Sequence, residues 1–83
     1  MNMKHIFILK PNTSKELVNC IVSSMQGKHY VLRYTKDLDD AREIALSYQE
    51  EKEICRLYAI GGDGFVHKVV NGMVHSHHEL VVI

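Results

Sequence analysis

The chain has no tryptophan, one proline, two cysteines and two phenylalanines in 83 residues. Two cysteines cannot build the disulfide framework of a small secreted domain, and Cys20 and Cys55 do not have metal-ligand spacing. Both fall at apolar positions of different elements, which predicts reduced core thiols. An excess of one charge is also missing. Ten basic residues balance ten acidic ones, so composition points to neither nucleic acid nor an anionic membrane surface as partner. Long apolar runs are absent too: "IFIL" and "LVVI" are far too short to span a bilayer. The amino-terminal "MNMKHIFILKPN" carries neither a long apolar segment nor a small-residue cleavage site. Together these absences lead us to expect a cytoplasmic protein. With 46% hydrophobic and 24% charged residues, the composition is that of one small globular domain with a modest core.

What is present is a strict alternation. "HIFIL" (5–9) is a short continuous apolar run suited to a strand buried on both faces. Pro11 and Asn12 end it, and "TSKE" (13–16) has the form of a capping box with Thr13 as N-cap and Glu16 three residues on. Leu17, Val18, Ile21, Val22 and Met25 then recur at helical spacing, with Gly27 as the stop. "HYVLRYT" (29–35) predicts a second strand. Asp37 is placed to cap a helix whose inner face is Ala41, Ile44, Ala45 and Tyr48. "ICRLYAI" (54–60) is the third strand. A glycine-containing turn follows it, then a helix with Val66, Val69, Val70, Met73 and Val74 inward, and "LVVI" (80–83) as a fourth strand. The order β-α-β-α-β-α-β predicts a three-layer α/β fold on a four-stranded parallel sheet with right-handed crossovers. A strand order of 2-1-3-4 would place the ends of strands 1 and 3 on either side of a switch point, where open sheets bind ligands. "KPNTS" and "GGDG" would then share one crevice. The sequence ends at Ile83 within that fourth strand, which reads as a fold cut short and a piece of something larger.

Three of the five glycines, Gly61, Gly62 and Gly64, surround Asp63 at the junction of the third strand and third helix. Glycines allow positive φ and expose backbone N–H groups, and a helix starting there adds the positive end of its dipole. That combination suits an anion. A plain strand-to-helix turn with Asp63 as the cap is the competing reading, and spacing alone leaves both open. The order is not G-x-G-x-x-G and has no GK[ST], so neither standard nucleotide motif applies.

"GGDGFVHKVVNGMV" resembles the GGDGTxNEVVNGL signature of the diacylglycerol kinase catalytic domain family, which includes bacterial lipid kinases. The likeness covers nearly the whole chain. "KHIFILKPNTSK" is similar to the family's first strand and NPxSG loop, "RYTKDLDDAREIA" to its Thr and HAxELA-like stretch, and "HHELVVI" to the strand leading into P-x-G-T-x-N-D. GGDG is shared with nicotinamide dinucleotide kinases and phosphofructokinases. The "VVNG" continuation and the matched loops favour the lipid kinases. The resemblance implies that residues 1–83 are the N-terminal, ATP-binding part of such a catalytic domain, a transferase working with Mg2+ and ATP on a lipid hydroxyl. It implies a nucleotide site at Gly61, Gly62, Asp63 and Gly64, with Lys10, Thr13 and Thr35 lining it.

Five positions depart from the pattern. Phe65 replaces a threonine whose hydroxyl can meet phosphate, and adds bulk beside the turn. His67 and Lys68 replace Asn-Glu. Lys10 replaces the asparagine before Pro11, and Ser14 a loop glycine. Lys10 and Lys68 would attract phosphate unless they are simply solvated. The P-x-G-T-x-N-D segment and the second domain, which in the family supplies the lipid site and the catalytic carboxylate, lie outside this sequence, so no catalytic residue and no kinase activity are expected of it alone. The alternative is a non-enzymatic remnant or self-associating module that binds no nucleotide. "LVVI" predicts a homo-oligomer through the edge strand Leu80 to Ile83. "HSHH", with His75, His77 and His78, reads as solvated loop histidines rather than a metal site, and Tyr30, Tyr34, Tyr48 and Tyr58 as core packing.

Overall fold

The computed structural model describes residues 3–83 and is built as the alternation predicts. In chain order it runs β1 (Lys4–Leu9), α1 (Lys15–Ser24), β2 (Tyr30–Tyr34), α2 (Leu38–Ser47), β3 (Cys55–Ile60), α3 (Asp63–Gly72) and β4 (Glu79–Val82). The four strands form one sheet in the order β2-β1-β3-β4, all parallel. The central strands are apolar over Ile6–Leu9 and Leu57–Ile60 because there both faces meet a helix layer. Ile6 and Ile8 of β1, with Leu57 and Ala59 of β3, pack on Ala41, Ile44, Ala45 and Tyr48 of the α2 region and on Phe65 and Val69 of α3. The alternate residues Phe7, Leu9, Tyr58 and Ile60 face the other way, onto Ile21 and Met25. Two helices thus cover one face and α1 the other.

Local chemistry differs from the pattern at several points. Ser14, not Thr13, caps α1: its Oγ accepts from the Leu17 N–H at 3.2 Å. Thr13 is drawn into the preceding turn, where its N–H and its hydroxyl both donate to the Lys10 carbonyl, at 3.2 and 2.8 Å. Pro11 sits at the second position of that turn, where its fixed φ is suited. Asp37 caps α2 as expected, accepting from Asp40 N–H at 2.9 Å. α1 ends at Ser24 with Met25 as C-cap, and Gly27 provides the left-handed residue, φ 80°, on the way to β2.

The inner faces are also narrower than helical spacing suggests. On α1 only Ile21 and Met25 are buried, with Leu17, Val18 and Val22 partly covered, because a single helix spans its sheet face. On α3 Val70 is exposed, as is Val74 just beyond the helix, and Phe65 and Gly72 take buried positions with Val69. Gly72 lies where α3 crosses α2: a Cβ there would fall 2.5 Å from the Arg42 carbonyl oxygen and 2.7 Å from Ala45 Cβ. Cys20 is exposed, so of the two expected core thiols only Cys55 is buried. Tyr34 is exposed as well, at the end of the outer strand β2.

His78 is not solvated. Its Nδ1 accepts from the Cys55 N–H at 2.9 Å, and its Nε2 lies 2.6 Å from the Tyr48 carbonyl oxygen. Accepting at Nδ1 places the proton on Nε2, so one imidazole ties the end of α2 to the start of β3. This satisfies backbone groups that a loop would leave to water.

Candidate functional site

The switch point lies between β1 and β3. From there β1 crosses over to β2 on one side and β3 to β4 on the other, so the loops after the two central strands diverge. The two loops singled out in the sequence do share one crevice. It is a cleft of about 300 Å³ lined by Lys10, Asn12, Thr13, Ser14, Leu17, Ile60 and Gly61. Lys10 and Thr13 come from the loop after β1, and Gly61 from the turn after β3. Lys10 is exposed.

The glycines of the turn do not share one reason to be there. None has positive φ; among the described residues only Gly27 does. Left-handed backbone is therefore not what the turn needs, contrary to the expectation from composition. Gly61 is a steric necessity, since a Cβ there would fall 2.7 Å from Phe65 Cγ and 2.8 Å from its Cβ. Phe65 itself is 2% exposed and belongs to the core. It adds bulk beneath the turn rather than beside the cleft, and so supports the turn from inside. Gly62 and Gly64 have open space where a side chain would go. Neither packing nor backbone conformation accounts for them.

Gly62 is the N-cap of α3 and offers no side chain, whereas Ser14 and Asp37 cap the other two helices. Asp63 is the first residue of α3 and exposed, not its cap. The helix therefore starts with N–H groups that no side chain caps, beside a cleft whose far wall carries Lys10.

Thr35 follows β2 at the same carboxyl edge of the sheet. It is buried, its N–H and hydroxyl both donating to the Leu9 carbonyl, at 2.8 and 3.1 Å. It braces the end of β1 just before Lys10 and is not among the residues that line the cleft. Lys68 is engaged elsewhere: its Nζ meets the Asp39 carboxylate at 3.0 Å, joining α3 to the first turn of α2. His67 is exposed.

Away from the cleft, His5 is buried with Nδ1 2.8 Å from the Tyr58 hydroxyl, and Tyr58 stacks on Phe7 with ring centres 4.1 Å apart. Burial, then the charges of Arg56 and Lys28, hold the His5 imidazole below its ordinary protonation range. Burial likewise pushes the Cys55 thiol up, with Glu51 adding to it. Both groups are kept neutral by the core and neither faces the cleft. Among the described residues no three His, Cys, Asp or Glu side chains gather as a metal would require, and no helix is long and apolar enough to cross a membrane.

The architecture is that of an open parallel α/β domain with a polar crevice at its switch point. The family model for the diacylglycerol kinase catalytic domain matches residues 9–83, and the chain belongs to that family of lipid kinases. A search of curated proteins finds no match.

Proposed function

We propose that this chain is the nucleotide-binding part of a lipid kinase, holding the phosphates of Mg-bound ATP between the loop at Lys10 and Thr13 and the turn Gly61–Gly64. The observation that carries the reading is the pair Gly62 and Gly64, whose Cβ positions open onto free space with unstrained backbone. Glycine at such positions makes sense where another molecule's bulk must come close to the main chain. The uncapped start of α3 supports this, since its N–H groups and dipole favour an anion. Lys10 supplies the opposing cation, a point charge of the kind that suits phosphate.

Phe65 does not obstruct this reading, because its ring is directed into the core. Its cost is one lost hydroxyl partner. Asp63, exposed at the start of α3, would repel a bare phosphate, so the ligand is expected as its Mg2+ complex, with this carboxylate facing the metal. The metal's chemistry would be neutralisation of phosphate charge. Phosphoryl transfer demands that donor, acceptor and charge-stabilising groups be positioned together. Apart from Asp63, assigned here to the metal, no carboxylate or imidazole among the described residues stands at the cleft to accept the proton of an attacking hydroxyl. The chain by itself is therefore proposed to bind nucleotide without transferring phosphate to a lipid.

The test is an amide NMR titration with Mg-ATP. Saturable shifts centred on residues 10–14 and 61–64, and weakened when Mg2+ is removed, are expected. No shift at about millimolar ATP, an affinity near −4 kcal/mol, would instead favour a module that binds no nucleotide.

A further inference from the structure

We infer that Thr35 and Thr13 are positioning residues for Lys10. Each threonine clasps one of the two peptide planes that meet at Lys10, so that the lysine is set at the cleft before any phosphate arrives. The inference rests on the nucleotide reading above and extends it to Thr35, a residue that does not line the cleft.

The same geometry occurs twice. The Leu9 carbonyl accepts from the N–H and the hydroxyl of Thr35, at 2.8 and 3.1 Å. The Lys10 carbonyl accepts from the N–H and the hydroxyl of Thr13, at 3.2 and 2.8 Å. These carbonyls belong to the two rigid peptide planes on either side of the Lys10 Cα. Holding both planes fixes φ and ψ at residue 10, and with them the direction in which its side chain leaves the main chain. Pro11 narrows the choice further, because a residue before proline is biased to extended backbone.

Two of these four bonds are ordinary. The Thr35 N–H continues the parallel ladder one step past the Leu9–Tyr34 pair, and the Thr13 N–H closes the turn. The two hydroxyl bonds are additional, since valine at either position would keep both main-chain bonds. A buried hydroxyl such as that of Thr35 needs some partner, and core packing alone would explain one such bond. It does not explain why a second threonine makes the same double bond to the very next carbonyl. The residue held between them is the exposed cation of the cleft. Strand ends entering exposed loops are ordinarily where order falls away. This one is held from two directions, by a threonine 26 residues from Leu9 and by one three residues from Lys10. Order that a phosphate would otherwise have to impose on the loop is therefore present beforehand, which strengthens binding without a further contact.

Thr35→Val tests this, because it removes the hydroxyl and keeps the N–H at a residue outside the cleft. Amide NMR titration with Mg-ATP should find binding about threefold to tenfold weaker, the effect of one lost hydrogen bond. Thr35→Ser keeps the hydroxyl and should bind as the parent does. In a Lys10→Ala background, Thr35→Val should change binding by less than about twofold, because the residue it positions is gone. In the ligand-free parent the Lys10 amide should be as rigid as β1, with an order parameter of about 0.85. A parent chain that takes up no Mg-ATP overturns the nucleotide reading and this inference with it. Equal binding by the parent and Thr35→Val overturns this inference alone. So does a loss that Thr35→Ser shares, an equal loss with and without Lys10, or a Lys10 amide more mobile than β1 until ATP binds. Should Thr35→Val fail to fold, the Lys10 order parameter of the parent decides.

Discussion

The ring of Phe65 occupies the space that a side chain at residue 61 would need: a Cβ on Gly61 would fall 2.7 Å from Phe65 Cγ. One residue of the glycine turn therefore serves the core, while its neighbours Gly62 and Gly64 do not. This division makes the turn experimentally separable.

Gly61→Ala should destabilise the chain by about 1–3 kcal/mol, the usual cost of forcing extra volume into a packed site. Gly64→Ala should do the opposite, gaining about 0.4–1 kcal/mol because the residue is helical, unstrained and open. If the turn meets phosphate, the same Gly64→Ala should weaken Mg-ATP binding by about tenfold or more, the loss of roughly one hydrogen bond to a charged group. Urea unfolding and ATP titration on the same sample check both signs. A Gly64→Ala chain that is more stable and binds ATP unchanged would remove the main support for the nucleotide reading.

The two lysines that differ from the family pattern should part company. Lys10→Ala is expected to weaken Mg-ATP binding, because Lys10 lines the cleft. Lys68→Ala should leave binding unaltered and cost no more than about 1 kcal/mol of stability, the ordinary worth of a surface pair such as that with Asp39. Equal effects of the two would mean that only overall charge is being sensed.

His78 offers a stability test away from the cleft. His78→Ala leaves the Cys55 N–H and the Tyr48 carbonyl without their partner and should cost about 1–3 kcal/mol in chemical denaturation. His75→Ala and His77→Ala, at exposed positions, should fall within about 0.5 kcal/mol of the parent.

Acid should weaken the fold partly through His5. Its imidazole is held below the ordinary value of 6.5 by burial and by Arg56 and Lys28. The unfolded chain therefore binds this proton more readily than the folded one, and stability rises with pH wherever that is so. The contribution is complete above about pH 6.5 and is lost as pH falls through the lowered folded value. Thermal unfolding from pH 7.5 downward should show a steeper decline for the parent than for His5→Gln. Parallel curves would place the acid sensitivity elsewhere.

Much of this protein was legible in its sequence. The apolar runs at 5–9 and 54–60, the Asp37 cap and the inner face Ala41, Ile44, Ala45 and Tyr48 all follow from local periodicity, which both the chain and its fold obey. The strand order 2-1-3-4, and with it the meeting of the Lys10 loop and the glycine turn, was expected and is observed, although alternation and right-handed crossovers permit other orders as well. Local pattern could not choose between Thr13 and Ser14 as the cap, because the choice depended on the turn that engages Thr13 with the Lys10 carbonyl.

By itself, then, the sequence determined the order of elements, the parallel sheet and the edge on which a ligand crevice would form, since each rests on short-range periodicity and chain chirality. Only the tertiary structure decided why individual residues stand where they do. Phe65 turned inward and claimed the space at Gly61, and Gly72 let α3 close on α2. Lys68 found Asp39, His78 joined Tyr48 to Cys55, and Cys20 was left outside. These are contacts between residues distant in sequence, set by which helix covers which strand, and no periodicity along the chain encodes them.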